Sequence, residues 1–161
     1  MKIQTTRFAA LEIDENKIIL MQKGILGFED YKRFFLLMPS AGEPLMWLQA
    51  VDEPALAFVV ANPCVIKGDY EPAIMENDLE LLDIKRGEDI VLLAIVTVHS
   101  QPLRVTANLR APILINAVNR KANQIVLDEP TYPIQYLVLE SQQHTDGGRL
   151  DKLYVAMGGK G

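Results

Sequence analysis

The sequence contains few of the side chains that usually carry catalysis or bind metals. Cys64 is its single cysteine, which excludes an internal disulfide and a cysteine-rich zinc site. The two histidines, His99 and His144, lie in segments that we predict to be loops, and their spacing matches no metal-binding motif. None of the three serines lies in a Gly-x-Ser-x-Gly motif. The sequence therefore predicts no catalytic residue, no metal ligand and no cofactor.

Long hydrophobic runs are also missing from the sequence. The longest apolar stretch, Ile90 to Val98, is far shorter than the ~20 residues that a membrane-spanning helix needs. Residues 1–8, MKIQTTRF, contain no apolar segment typical of a secretory signal. Because cysteine is also scarce, we expect a cytoplasmic protein. The 161 residues suffice for one domain with a single core.

Negative charge is concentrated in one segment, residues 69–89. The whole chain carries −5, which argues against non-specific binding to nucleic acid. The segment has eight acids and two bases, so it carries −6 and the other 140 residues sum to +1. Such a segment is either a solvated helix with its flanking loops or a docking surface for a basic partner. Its acids are Asp69, Glu71, Glu76, Asp78, Glu80, Asp83, Glu88 and Asp89.

The apolar residues form short runs, about ten residues apart, that are separated by turn-forming residues. Residues 76–83, ENDLELLD, form the one convincing helical segment, with Asn77 or a neighbour as its cap. We therefore predict an all-β, mainly antiparallel fold, a small barrel-like or sandwich structure with one short helix. The predicted strands are 3–8, 11–13, 17–21, 34–38, 46–51, 57–61, 90–98, 104–109, 113–118, 124–127 and 134–139.

The domain organisation follows from a change in composition near residue 140. Residues 1–140 contain all the predicted strands, so we expect them to form one β-barrel-like domain. Residues 141–161 are polar and rich in glycine, and we expect a flexible C-terminal tail. Leu150, Leu153, Tyr154 and Val155 could dock as a short helix.

Three turn segments can be predicted from local composition. The stretch Gly24-Ile25-Leu26-Gly27 predicts a turn or loop that uses the backbone freedom of glycine. Residues 28–33 suggest a brief helical turn. Residues 119–123, Asn-Arg-Lys-Ala-Asn, suggest a basic turn between two strands.

Four large or reactive side chains have two interpretations each. Trp47 lies in an apolar strand, which favours a core position over a surface one. Cys64 has no nearby base, which favours a buried, inert thiol over a nucleophile. Tyr70 and Tyr132 each lie beside a proline and near acids, which is typical of binding surfaces and equally of half-buried loop anchors.

Residues 108–116, NLRAPILIN, combine an apolar run with a proline and two asparagines. Pro112 cannot donate a hydrogen bond to a neighbouring strand, so we predict a strand at a sheet edge or a bulge. Asn108 and Asn116 can satisfy backbone groups where regular pairing fails. A structural role is therefore favoured over direct contact with a partner.

Several short motifs follow one another along residues 2–139. They are IQTTRF and LEI, GILGFEDYKRF, WLQAV, DEP with AFVVANP, GDYEP, DLELL, NLRAPILIN, NRKANQIVL and YPI. In this order and spacing they resemble the bacterial flagellar assembly factors of the FliW family. Two features differ from the family pattern: GILGFE stands where GLPGFE is expected, and the segment from Ser141 has no counterpart.

The resemblance implies a non-enzymatic, cytoplasmic regulator that binds two proteins in alternation. One is flagellin, held before export. The other is CsrA, an RNA-binding repressor of flagellin mRNA translation; binding of CsrA relieves the repression. No direct contact with nucleic acid or membrane is implied. From the charge pattern we hypothesise that the acidic segment binds CsrA. The residues of this hypothesis are Asp69, Tyr70, Glu71, Glu76, Asp78, Glu80 and Asp83.

Two other functions stay open on the residues alone. A small-ligand-binding β-barrel protein would need an apolar cavity, which the strand interiors could line. A hydrolase could use one of the carboxylate pairs Asp14-Glu15, Asp52-Glu53 and Asp128-Glu129. Two of these pairs lie in Asp-Glu-Pro, an ordinary turn sequence, and no base can be assigned to a nucleophile.

Overall fold

The computed structural model describes residues 1–38, 44–128 and 131–140. These residues form eleven strands, the short α-helices α1 (Pro63–Ile66) and α2 (Glu76–Leu81), and two 3₁₀ turns. The predicted all-β fold class is confirmed, with two α-helices where one was expected. The strands are β1 (Lys2–Thr5), β2 (Ala9–Glu12), β3 (Ile19–Met21), β4 (Arg33–Leu37), β5 (Leu45–Ala50), β6 (Ala57–Ala61), β7 (Ile90–Ser100), β8 (Leu103–Ala107), β9 (Ile113–Asn116), β10 (Lys121–Gln124) and β11 (Tyr136–Glu140).

One large sheet contains nine of these strands, in the order β11-β8-β7-β6-β5-β4-β3-β10-β9. The first residues of β7 also pair with β9, so the sheet closes into a ring from β3 through β7, β9 and β10. All pairs in this sheet are antiparallel except β10 with β3, which are parallel. β8 and β11 extend the sheet from the later residues of β7, and β1 and β2 form a separate hairpin.

Apolar side chains fill the inside of the ring. Phe34, Leu48 and Val60 project from β4, β5 and β6 and are fully buried. Leu93 and Ile113 complete the packing from β7 and β9. Complete burial of one such side chain stabilises the folded state by about 1.5–3 kcal/mol, so the packed interior favours closure of the ring. The other buried members are Ile19, Met21, Ile25, Ala50, Ile115 and Ala122.

A second apolar core covers the outer face of the sheet. It contains Leu45 and Trp47 of β5, which confirms the predicted core position of the tryptophan. Leu82, directly after α2, is fully buried in the same cluster. Since a strand points alternate side chains to opposite faces, β5 contributes to both cores. Both faces of the sheet are thus covered, and the residues between β6 and β7 lie on the outer one.

The loop between β3 and β4 folds back against the ring. Ile25 is buried with the ring interior, while Gly24 and Gly27 have φ angles of +76° and +88°. This confirms the predicted glycine-dependent turn. The predicted helical turn at residues 28–33 is wrong. Within these residues the backbone makes one tight-turn hydrogen bond, from Tyr31 N to Phe28 O at 3.1 Å. The chain then enters β4, because Phe34 is drawn into the ring interior.

Two element boundaries also differ from the sequence predictions. The sequence analysis did not predict α1, although Asn62 caps this helix and Pro63 suits its first turn. β10 begins at Lys121, three residues earlier than predicted, so the expected basic turn is shorter. Pairing with β3 and β9 extends the strand through residues whose local composition favours a turn.

Candidate protein-binding surface

The acidic segment belongs to the long connection from β6 to β7, which begins with α1. The Asn62 side chain accepts a hydrogen bond from Cys64 N at 2.9 Å, and Pro63 occupies the first turn. Cys64 itself is exposed, so the predicted burial of its thiol is wrong. The cysteine lies just after the helix cap, and its side chain projects to the surface.

Tyr70 anchors this connection instead of presenting its ring to a partner. Its side chain is buried, and its hydroxyl donates to the carbonyl oxygen of Leu109 at 2.7 Å. Its ring meets that of Tyr132 edge to face, with the centroids 4.7 Å apart. The hydroxyl of Tyr132 accepts a hydrogen bond from Glu71 N at 3.0 Å. Tyr70 must therefore be removed from the predicted contact residues, because the interpretation as a loop anchor is the correct one.

The acids of the segment lie at or near the surface, but three of them have cationic partners. Lys67 donates to Asp69 at 2.6 Å, which holds the pKa of that carboxyl below its ordinary value. Lys121 pairs with Asp83 at 3.1 Å, and Arg86 pairs with Glu88. Three of eight acids are thus compensated, and five have no ion pair within the described residues. These five acids, hereafter the open acids, are Glu71, Glu76, Asp78, Glu80 and Asp89.

α2 orients two of the open acids towards solvent. Leu79 lies in α2 and Leu82 comes directly after the helix. The two leucines are three residues apart, and both pack in the outer core. Glu76 and Glu80 are four residues apart and exposed, so they form a separate face of the helix. The predicted side-chain cap by Asn77 or a neighbour is not formed: the cap position is Met75, which makes no side-chain capping bond. Burial of the leucines places the carboxylates outward.

The strand within residues 108–116 lies in the ring, between two others. β9 pairs with β10 on one side and β7 on the other, so the predicted sheet edge or bulge is wrong. Pro112 precedes the strand, where its missing N–H removes no ladder bond, and its carbonyl oxygen accepts from Ile125 N at 2.9 Å. The proline thus sets where β9 begins.

Both asparagines of this stretch satisfy backbone groups, as predicted. The Asn108 Oδ1 accepts from Arg110 N at 3.1 Å and from Ala111 N at 3.0 Å. Asn116 donates its Nδ2 to the carbonyl oxygens of Leu82 at 2.9 Å and Asp83 at 3.2 Å. The second set of bonds joins β9 to the end of α2. Sequence reasoning missed this link, because the partners are 34 residues apart and no local pattern connects them.

The other chemistry-bearing residues that the structure describes do not assemble into a site. His99 lies on β7, not in a loop, and His144 lies outside the described residues, as do the apolar residues of the predicted tail. Within the described ranges, no group of three or more histidine, cysteine, aspartate or glutamate residues could hold a metal ion. Asp52 forms an exposed ion pair with Arg33, which lowers the pKa of the carboxyl. This carboxylate has an ordinary surface role.

The interior of the ring offers no support for a small-ligand function. The side chains that face inward are buried against one another, as described above. A surface groove of about 310 Å³ does exist beside the first 3₁₀ turn, lined by Met1, Glu15, Ile18, Leu20 and Arg33. The groove lies outside the packed interior, so it is not the apolar cavity that a small-ligand-binding β-barrel protein would need.

Comparison with known proteins agrees with the fold and with the sequence motifs. The family description "FliW protein" matches residues 2–138. The flagellar assembly factor FliW of Syntrophus aciditrophicus is 46% identical over 148 residues, covering 92% of this chain and 94% of the relative. That of Alkaliphilus metalliredigens is 41% identical over 144 residues, covering 89% of each chain.

A solved structure agrees at the level of the fold. The crystal structure of a flagellar assembly factor FliW has a TM-score of 0.79 and 36% identity, covering 86% of this chain and 97% of the other. No helix in the described part of the chain is long and apolar enough to cross a membrane. By family match, sequence identity and fold together, this chain belongs to the FliW family of flagellar assembly factors.

Proposed function

We propose that this chain works by binding proteins in alternation and not by catalysis. In this proposal it holds flagellin before export, as a chaperone does. When flagellin has left the cell, the free protein binds CsrA and relieves repression of flagellin mRNA translation. The family membership supports a role in flagellar assembly, and both proposed partners are proteins of the cytoplasm at the time of binding.

The open acids carry the CsrA part of the proposal. A protein that binds RNA must present basic side chains to phosphate. Five carboxylates that lack ion pairs among the described residues give this segment a charge that complements such a partner. Bound beside the RNA site, the same carboxylates would repel RNA phosphates. Two unit charges 4 Å apart interact by about 1 kcal/mol in water and about 4 kcal/mol near a protein surface.

We assign this binding role to the domain formed by residues 1–140. The family match ends at residue 138, and the acidic segment and both cores lie within that range. Residues 141–161 fall outside both the family match and the described structure. Removal of residues 141–161 should therefore leave both binding activities in place.

A pull-down from the native cytoplasm tests the alternation. Tagged protein should recover flagellin from cells in which export is blocked. It should recover CsrA from cells that export flagellin normally. If neither protein is recovered under either condition, the proposed function is wrong. A small molecule carried through purification and identified by mass spectrometry would favour the ligand-binding alternative.

Charge reversal at the open acids tests which surface meets CsrA. Glu71→Lys and Glu80→Lys should each weaken CsrA binding by about tenfold in low salt, because each replaces attraction with repulsion. The loss should be smaller at 0.5 M salt, where charges are screened within a few ångströms. Titration calorimetry at both salt concentrations measures the effect.

The matched control for these variants is Glu12→Lys on the β1–β2 hairpin. Glu12 is an exposed acid outside the acidic segment, so the net charge changes equally. If the three variants behave alike, net charge and not the acidic segment governs binding. If Glu71→Lys and Glu80→Lys bind like wild type at low salt, the assignment of this surface fails.

A further inference from the structure

The end of α2 has an unusual backbone conformation. Asp83 N donates to Glu80 O at 3.0 Å and Ile84 N donates to Leu79 O at 2.9 Å, the bond pattern of a Schellman motif. The residue at the turning position is normally glycine, because φ is positive there. Here it is Asp83, with φ at +56°. A non-glycine residue in this conformation costs roughly a factor of five to thirty in the local equilibrium.

The end of β9, the turn after it and the start of β10 supply the contacts that compensate for this strain. Asn116 is 3% exposed and donates to the carbonyl oxygens of both Leu82 and Asp83. Asn119 donates to the same Leu82 oxygen at 3.1 Å. Lys121 adds the ion pair to the Asp83 carboxylate. We name Asn116 and Asn119 the amide clamp, because their two side-chain amides converge on one helix end.

Asn116 is also fixed from its own side. Its Oδ1 accepts a hydrogen bond from Val118 N at 2.9 Å, and its backbone lies in β9, opposite Ile90 of β7. A buried side-chain amide with both ends bonded has little freedom to rotate. The amide clamp therefore transmits the position of the ring strands to the helix that carries Glu76 and Glu80.

We propose that Asn116 is a positioning residue, which sets where the open acids of α2 are presented to a basic partner. The identity of the partner, CsrA, rests on the proposed function. The way in which Asn116 acts rests on the hydrogen bonds of the amide clamp. Charge alone would be insufficient: the carboxylates must be held in register with the basic groups that they meet. Loss of the clamp should therefore weaken binding even when the negative charge of the surface is unchanged or increased.

Asn116→Asp separates position from charge. The variant keeps the acceptor for Val118 N and loses both donors to α2, while adding negative charge beside the acidic segment. If charge governed binding, CsrA would bind more tightly; the amide clamp predicts weaker binding, by about tenfold. Binding is compared at pH 7 and pH 9, because burial disfavours the charged form of the new carboxyl and a protonated carboxyl would restore one donor. Amide hydrogen exchange at Leu82, Asp83 and Ile84 should accelerate by a similar factor, about tenfold.

Two further variants control for misfolding and for charge. Asn119 is exposed, and Asn119→Asp keeps the acceptor for Lys121 N at 2.9 Å but loses one donor to Leu82. We therefore expect CsrA binding to weaken and amide exchange to accelerate, both by less than in Asn116→Asp. Asn108→Asp makes the same charge change at the other end of NLRAPILIN. Its oxygen only accepts hydrogen bonds, which aspartate can also do, so exchange and binding should match wild type.

Each outcome decides between the ideas. Unchanged exchange at residues 82–84 in Asn116→Asp would overturn the amide clamp. Faster exchange with unchanged or tighter CsrA binding would overturn the positioning role. If the wild-type chain binds no CsrA, the proposed function fails, and the exchange data still decide whether Asn116 holds α2.

Discussion

Gly24 and Gly27 have the same sign of φ but very different surroundings. A Cβ at Gly24 would lie 2.6 Å from the Cα of Glu29 and 2.9 Å from its carbonyl oxygen. A Cβ at Gly27 would meet nothing within 4 Å. Gly24 is therefore required both for its conformation and for the close approach of two backbone segments, whereas Gly27 is required for conformation alone.

Alanine at these two positions should distinguish the cost of a positive φ angle from the cost of a steric clash with the backbone of Glu29. Gly27→Ala should lower the free energy of unfolding by about 1 kcal/mol, the cost of a positive φ in a residue with a Cβ. Gly24→Ala should lower it by about 2–4 kcal/mol, because backbone atoms cannot move aside as a side chain does. Urea denaturation of both variants measures the difference. Equal losses would show that the loop relaxes around the added methyl group.

At the scale of an element, the connection between β6 and β7 is held at two points. The tyrosine pair Tyr70 and Tyr132 fixes its first part, and the amide clamp fixes the end of α2. Between these points the chain exposes its acids. α2 has only six residues, too few to be stable alone, so these contacts determine whether the helix forms.

Tyr70→Phe should reduce stability without removing partner binding. The variant leaves the buried carbonyl oxygen of Leu109 without this hydrogen bond, at a cost of about 1–3 kcal/mol. Affinity for CsrA should stay within about twofold of wild type, because the ring is buried. Denaturation and calorimetry measure the two effects. Tyr31→Phe is the control, since no hydrogen bond of its hydroxyl is seen among the described residues. Lost affinity at unchanged stability would restore Tyr70 as a contact residue.

Local chemistry predicted several elements well, but it predicted poorly the tertiary contacts that hold them in place. The alternation of apolar runs and turns indicated the all-β class, and the glycines indicated the loop after β3. The extent of β10 was wrong, because pairing with distant strands overrode local preference, and the expected side-chain cap of α2 is not formed. For the acidic surface, composition indicated the segment, but the ion pair of Asp83 with Lys121 and the burial of Tyr70 depend on tertiary contacts.

At the scale of the whole molecule, the ring depends on a continuous interior. Leu48 lies on β5 opposite Phe58 of β6 and Leu36 of β4, and it is fully buried. Ring closure itself was not predictable from the strand pattern. The same apolar runs also suit a sandwich, and only the pairing of β7 with β9 distinguishes the two.

Leu48→Ala should destabilise the entire ring. Removing a fully buried leucine costs about 2–5 kcal/mol, through lost burial and the cavity left behind. The control Leu26→Ala removes the same atoms from a side chain that is 59% exposed and should change stability by less than about 0.5 kcal/mol. Thermal unfolding followed by circular dichroism measures both. Similar losses in the two variants would mean that the ring interior tolerates a cavity.

The parallel pairing of β3 with β10 also has a consequence for the newly made chain. Leu20 of β3 pairs with Lys121 of β10, which is synthesised about a hundred residues later, so the ring cannot close before β10 has been made. At ribosomal rates of about 5–20 residues per second, the early strands stay incomplete for about 5–20 s. The clamped acidic surface depends on β9 and β10, so it forms only after both strands have been made. Under the proposed function, a nascent chain that ends before β10 therefore lacks the surface that binds the partner.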